Sequence, residues 1–169
     1  MALKRIAIVG PESSGKTFLA EKLAKHYNCL WVPEYARAYL EKFTQPYTKE
    51  DVEQIAKGQI TAEDAAAKKS KSLLICDTNL LVIKIWMDHK YGSTPAWIDK
   101  EIAQRKYHLH LLTAPDIPYE FDVLRENPEL GEYFFKLYEQ LLITLKFPYK
   151  IISGKKRAES AIKAIEELL

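Results

Sequence analysis

The sequence predicts an α/β fold in which helices cover both faces of a doubly wound parallel sheet, and three observations predict it. Five short apolar runs alternate with helical patterns along the whole chain. Most of these runs lack the polar alternation of a one-sided sheet, as strands covered on both faces do. The first run leads directly into a glycine loop, Gly10 to Thr17, and then into a helical pattern. Right-handed crossovers between parallel neighbours then distribute the helices over both sides.

The elements follow in order. Arg5–Val9 reads as the first strand, and Phe18–Tyr27 as a helix with Leu19, Leu23 and Ala24 on one face. Leu30–Val32 is the second strand. Thr48–Lys69 is a long helix that opens with a capping box, Thr48 with Asp51 three residues on, and carries Val52, Ile55, Ala56, Ile60 and Ala62. Leu73–Cys76 is the third strand and Leu80–Lys90 the helix after it. His108–Leu112, Pro128–Lys146, Lys150–Ile152 and Lys155–Leu169 give strand, helix, strand and helix. The pattern breaks at Gly92–Pro95 and again over 113–127. No repeat, low-complexity tract or linker divides residues 1–169, so a single domain is expected, long enough to bury a core without staples.

Composition narrows the function classes. A net charge of +2, with one basic run at Lys155-Lys156-Arg157, gives no case for nucleic acid. Cys29 and Cys76 lie in apolar runs without ligand spacing to the four histidines, so reduced, buried thiols are expected. No stretch approaches the ~18 apolar residues that span a bilayer. Met1–Arg5 carries no cleavable apolar segment, and a cytoplasmic protein without membrane partners is expected. Trp86, Trp97, Tyr133, Phe134 and Phe135 fit either a core or a dimer face, and the oligomeric state stays open.

Chemistry concentrates in Gly10-Pro11-Glu12-Ser13-Ser14-Gly15-Lys16-Thr17, a Gly-x4-Gly-Lys-Thr loop between strand and helix. Its glycines permit positive φ, so that successive N–H groups turn towards an anion. The following helix adds free N–H groups and the positive end of its dipole. Gly10, Glu12, Ser13, Ser14, Gly15, Lys16, Thr17 and Phe18 are therefore the expected contacts of a nucleoside triphosphate. Lys16 would reach the β- and γ-phosphates, and the Thr17 hydroxyl would bind Mg²⁺. The guanine-reading Asn-Lys-x-Asp tetrad is absent, which favours ATP over a GTP switch.

Three further segments fall at the ends of strands that face such a loop. Asp77 closes the third apolar run and is a candidate metal-site acid, with helix capping as its bland alternative. Glu34 and Arg37 follow the second run. Glu34 could take a proton from an attacking hydroxyl, and Arg37 could hold the acceptor. Trp31 and Tyr35 could stack on a planar ring. Asp77 and Glu34 compete for the role of base; Asp77 suits the metal site, and Glu34 the acceptor. The irregular Asp116–Arg125 segment reads as a lid whose Arg125 closes on the transferring phosphoryl group, with Arg105 the weaker candidate. Ser153, Gly154 and Arg157 could contact the nucleotide base. Together these predict phosphoryl transfer from ATP to a small hydroxyl compound.

Gly10–Thr17, Glu34-Tyr35-Ala36-Arg37, Asp77-Thr78-Asn79 and Asp122-x-x-Arg125, in that order and spacing, resemble the ribosylnicotinamide kinase domain of NadR-type proteins. The resemblance implies a central strand order 2-3-1-4-5 and an ATP- and Mg²⁺-dependent transfer to the 5′-hydroxyl of nicotinamide riboside, giving nicotinamide mononucleotide. It implies that Lys16 and Thr17 serve ATP and Mg²⁺. By the same likeness Glu34, Arg37 and Asp122 line or support the acceptor site, Asp77 stands at the metal or acts as base, and Arg125 belongs to the lid. Asn79 departs from an Asp-Thr-Asp pattern in relatives, which removes one acid. No helix-turn-helix part and no His-x-Gly-His motif occur in the sequence. A kinase for another nucleoside or metabolite, or a non-catalytic ATP sensor, is the alternative.

Overall fold

The computed structural model describes residues 2–169. Five strands form one sheet: β1 (Lys4–Val9), β2 (Leu30–Val32), β3 (Leu73–Asp77), β4 (Leu109–Thr113) and β5 (Tyr149–Ile152). Their order is β2-β3-β1-β4-β5 and every pair is parallel, with Ile8 opposite Asp77 and Val9 opposite Leu112. The strand order implied by resemblance is therefore the order found.

The pleat sorts the core into two halves. Ile6 and Ile8 point to the face covered by α1 (Lys16–Tyr27) and α7 (Arg157–Glu166), where Leu19, Leu23 and Ile165 bury them. Ala7 and Val9 point to the opposite face. That face carries α2 (Tyr35–Leu40), α3 (Lys49–Lys69), α4 (Leu80–Tyr91), α5 (Ala96–Gln104) and α6 (Gly131–Thr144). β1, β3 and β4 are flanked on both sides, which is why their sequences run apolar without alternation.

Local signals set the helix limits. Both halves of the α3 capping box form: the Thr48 N–H donates to Asp51 Oδ2 (2.7 Å) and the Asp51 N–H to Thr48 Oγ1 (3.3 Å). Gly92, at φ 75°, ends α4. Two helices lie outside the sequence expectation. α2 has only six residues, too few to show a period. α5 starts directly after the break at Gly92–Pro95, anchored by buried Ile98 and Ile102 four residues apart. The long connection from β4 to α6 is irregular, with no helix or strand between Thr113 and Gly131.

Candidate active site

The phosphate-binding loop leaves the carboxyl end of β1, the central strand, and its shape depends on residues from the neighbouring strand. Gly10 has φ 147°, and a Cβ there would stand 2.7 Å from the Thr113 carbonyl oxygen and closer still to its hydroxyl. Only glycine fits between β1 and the end of β4. Ser14 is buried; its hydroxyl donates to the Pro11 carbonyl (2.7 Å) and meets Thr113 Oγ1 at 2.6 Å. Ser13 (φ 56°) and Gly15 (φ 82°) complete the turn into α1. The Lys16 ammonium donates to the Gly10 (3.0 Å) and Pro11 (2.8 Å) carbonyls, spanning the loop from inside.

Thr17 and Asp77 meet beneath the loop. Thr17 Oγ1 donates to Asp77 Oδ2 (2.6 Å), whereas Asp77 Oδ1 is buried without a hydrogen-bond partner among the described residues. Asp77 is 1% exposed. Burial, reinforced by the charge of Glu34, pushes its carboxyl up to about 6, against the pull of Thr17, Lys16 and Arg37. A buried carboxylate oxygen lacking a donor, beside a threonine hydroxyl at a phosphate loop, offers two hard oxygen donors of the kind Mg²⁺ takes together with water and substrate phosphates. Asn79 is occupied elsewhere: its Oδ1 caps α4 by accepting from the Leu81 N–H (3.0 Å), and its amide lies 3.2 Å from His110 Nε2. His110 stacks on Phe147, and burial pushes its pKa down to about 4. An aspartate at position 79 could cap α4 equally, but it has no amide to donate to this ring.

A cavity of about 670 Å³ opens from the loop, within the size range of small-molecule sites. Gly10 to Phe18 form one wall, Glu34 and Arg37 another, and Arg125 and Glu126 border it from the β4–α6 connection, the segment read from the sequence as a lid. The far wall was not foreseen from sequence. It combines Tyr47 with Trp86, His89 and Lys90 of α4 and Phe134 and Tyr138 of α6. Tyr47 and Trp86 meet edge to face at 5.2 Å, and Trp86 Nε1–H donates to the Tyr47 oxygen (3.0 Å). Lys90 donates to that same oxygen (2.7 Å) and to Glu126 (3.1 Å), and the Tyr47 hydroxyl donates to Glu126 (2.6 Å). The lid is thereby tied to the far wall.

Five expected residues take other places. Trp31 lies on the opposite face of the sheet, packed with the α1 and α7 cluster, because the pleat turns Val32 rather than Trp31 towards α3. Tyr35 lies across α3 at Gly58, where an added Cβ would come within 2.6 Å of its ring. Its own N–H donates to Gln59 Oε1 (2.9 Å), so α2 is registered on α3. Asp122 stands behind the cavity wall: it accepts from Arg37 Nη1 (2.9 Å) and from the Leu124 N–H (2.9 Å), and these hold its carboxyl below the usual range. Arg157 turns towards the loop backbone, donating to the Ser14 (3.0 Å) and Ala114 (2.7 Å) carbonyls and pairing with Asp116. It braces loop, lid base and α7 instead of lining the cavity. Arg105 is paired with Glu63 and Asp64 on α3, away from the lid.

Comparison with known proteins places this geometry in a wider group. Residues 5–159 match a family described as an AAA domain. The chain is 27% identical over 129 residues, 73% of its length, to the trifunctional NAD biosynthesis/regulator protein NadR of Escherichia coli (strain K12) and equally to that of Salmonella typhimurium. It spans 31% of the length of these curated relatives. Among solved structures, a NadR protein in complex with NR aligns with TM-score 0.86 at 24% identity, covering 99% of this chain and 52% of that one. Thymidylate kinase from Ehrlichia chaffeensis aligns with TM-score 0.69 at 13% identity over 100% of both chains. Deoxyadenosine kinase from M. mycoides aligns with TM-score 0.65 at 18% identity, covering 96% of this chain and 99% of that one. The fold is that of P-loop kinases, and by a match spanning nearly all of its length the chain belongs to the AAA-domain family.

Proposed function

We propose that this chain is an ATP-dependent nucleoside kinase that phosphorylates the 5′-hydroxyl of nicotinamide riboside to give nicotinamide mononucleotide, a step of NAD salvage. The observation that carries the reading is one continuous cavity joining the phosphate loop to an aromatic wall, with Glu34 and Arg37 between them and Asp77 buried behind Thr17 of the loop. Similarity to NadR proteins, one of them solved with NR and another with NAD and AMP-PNP, supports this acceptor and ATP as donor.

In this reading Lys16 leaves the loop carbonyls to neutralise the β- and γ-phosphates, while loop N–H groups hold the remaining oxygens. Thr17 and Asp77 would hold Mg²⁺, which supplies positive charge to the phosphate oxygens when bound. The acceptor's ring lies against Trp86 and Tyr47, its hydroxyls face Arg37, and Glu34 takes the proton from the attacking oxygen. Arg125 approaches from the lid to stabilise charge on the transferring group. Catalysis is positioning and charge neutralisation.

The test is incubation with ATP and Mg²⁺ and a panel of nucleosides, read by mass spectrometry of the products. Nicotinamide riboside is expected to be converted in preference to the others. Conversion of a different nucleoside alone would overturn the acceptor while keeping the enzyme class. ATP binding without turnover of any acceptor would overturn the class.

A further inference from the structure

We propose that Glu12 is a positioning residue: it holds the lid on the phosphate loop and so sets Arg125 for phosphoryl transfer. The inference rests on the kinase reading of the cavity, and it departs from the expectation that Glu12 contacts the nucleotide. Glu12 Oε1 accepts from the Glu126 N–H (3.2 Å) and Oε2 from the Asn127 N–H (3.1 Å). The adjacent Ser13 hydroxyl oxygen accepts from the Glu120 N–H (2.9 Å). These anchors bracket Arg125, whose guanidinium donates to the Glu120 carbonyl and lies over the Tyr119 ring at 5.8 Å from its centroid. The side chain of Glu126 is meanwhile held by Tyr47 and Lys90 on the far wall. One dipeptide of the lid is thus gripped by its main chain from the donor side and by its side chain from the acceptor side.

A carboxylate in a loop built to collect phosphate is electrostatically adverse unless its charge is engaged elsewhere. Here both oxygens are engaged, each by a main-chain N–H of the lid. Glutamine has one acceptor oxygen and would turn its NH₂ group on the second N–H, so it cannot replace the pair. When the lid lifts, the same charge is released beside the phosphates. Closure therefore both places Arg125 and stabilises that charge with two main-chain donors.

The experiment compares E12A and E12Q with the unmutated chain in steady-state kinetics, in a double-mutant cycle with R125A, and in amide hydrogen exchange. Both variants should lower kcat about 10- to 100-fold, the cost of a misplaced catalytic group, while KM for ATP and acceptor change less than about threefold. On the R125A background, E12A should lower kcat by less than about twofold. Exchange of the Glu126 and Asn127 amides should accelerate in E12A while β1 and β4 stay protected. Unchanged lid exchange, a raised KM for ATP with kcat intact, or independent effects of E12A and R125A would each overturn the inference. If the unmutated chain converts no nucleoside, the kinase reading falls, and hydrogen exchange still decides whether Glu12 holds the lid.

Discussion

Replacing Asp77 by asparagine should make the ligand-free protein more stable above pH 6 while removing its turnover. Asp77 is almost wholly buried, and burial with the neighbouring charge of Glu34 pushes its carboxyl from 3.8 to about 6. An acid whose pKa rises on folding binds its proton more tightly in the native state. Its stability contribution is full below about pH 4 and is lost as pH rises through about 4 to 6. A gap of about two pH units corresponds to roughly 3 kcal/mol at most. For a chain of this length that is about 6–12 °C in melting temperature, as an upper limit. D77N has no charge to desolvate, and its amide oxygen can still accept from Thr17. Thermal melts by circular dichroism in EDTA, from pH 4 to pH 8, should show the two proteins alike at pH 4 and D77N ahead at pH 8. Turnover should fall at least about 100-fold in the same variant. A stability difference that does not vary with pH, or a D77N protein that melts lower at pH 8, would refute the reasoning.

Three other outcomes are expected. G10A forces a Cβ against Thr113 at φ 147°, which should cost roughly 3 kcal/mol or more and abolish nucleotide binding, measured by melting and calorimetry. ATP with Mg²⁺ at about 100 times its Kd should stabilise the folded chain by about 2.7 kcal/mol, or roughly 5–10 °C, and K16A should remove that shift. R37A breaks an exposed ion pair with Asp122 worth less than about 1 kcal/mol, so its melting temperature should barely move. Loss of a charged donor to the acceptor should nevertheless raise the acceptor KM about tenfold or more.

What the sequence disclosed and what it withheld divide along physical lines. The phosphate loop was legible because its chemistry is local: glycine spacing, a strand before it and a helix after it suffice. Asp77 was legible for a related reason, since an apolar run ending in an acid fixes which end of the strand faces the loop. The far wall was not legible. Tyr47, Trp86, His89 and Tyr138 come from one loop and two helices far apart in sequence, and aromatic residues at helical spacing look the same whether they face a core or a cavity. Trp31 and Tyr35 were misjudged because sequence proximity to Glu34 does not say which way a three-residue strand and a six-residue helix turn their side chains. Arg157 was close in space to the loop but committed to the Ser14 carbonyl, a pairing across 143 residues that no local pattern encodes.

Gly58 sits inside a 21-residue helix at a position where alanine would raise helix propensity by about 1 kcal/mol. The gap it leaves is filled by the ring of Tyr35, the residue between Glu34 and the helical turn that carries Arg37. Glu34 and Arg37, the acceptor groups of the proposed kinase, are thus indexed by a missing side chain on the neighbouring helix. An engineer seeking a hardier protein by the usual glycine-to-alanine exchange would, at this one site, trade the alignment of the alcohol pocket for a better-wound helix.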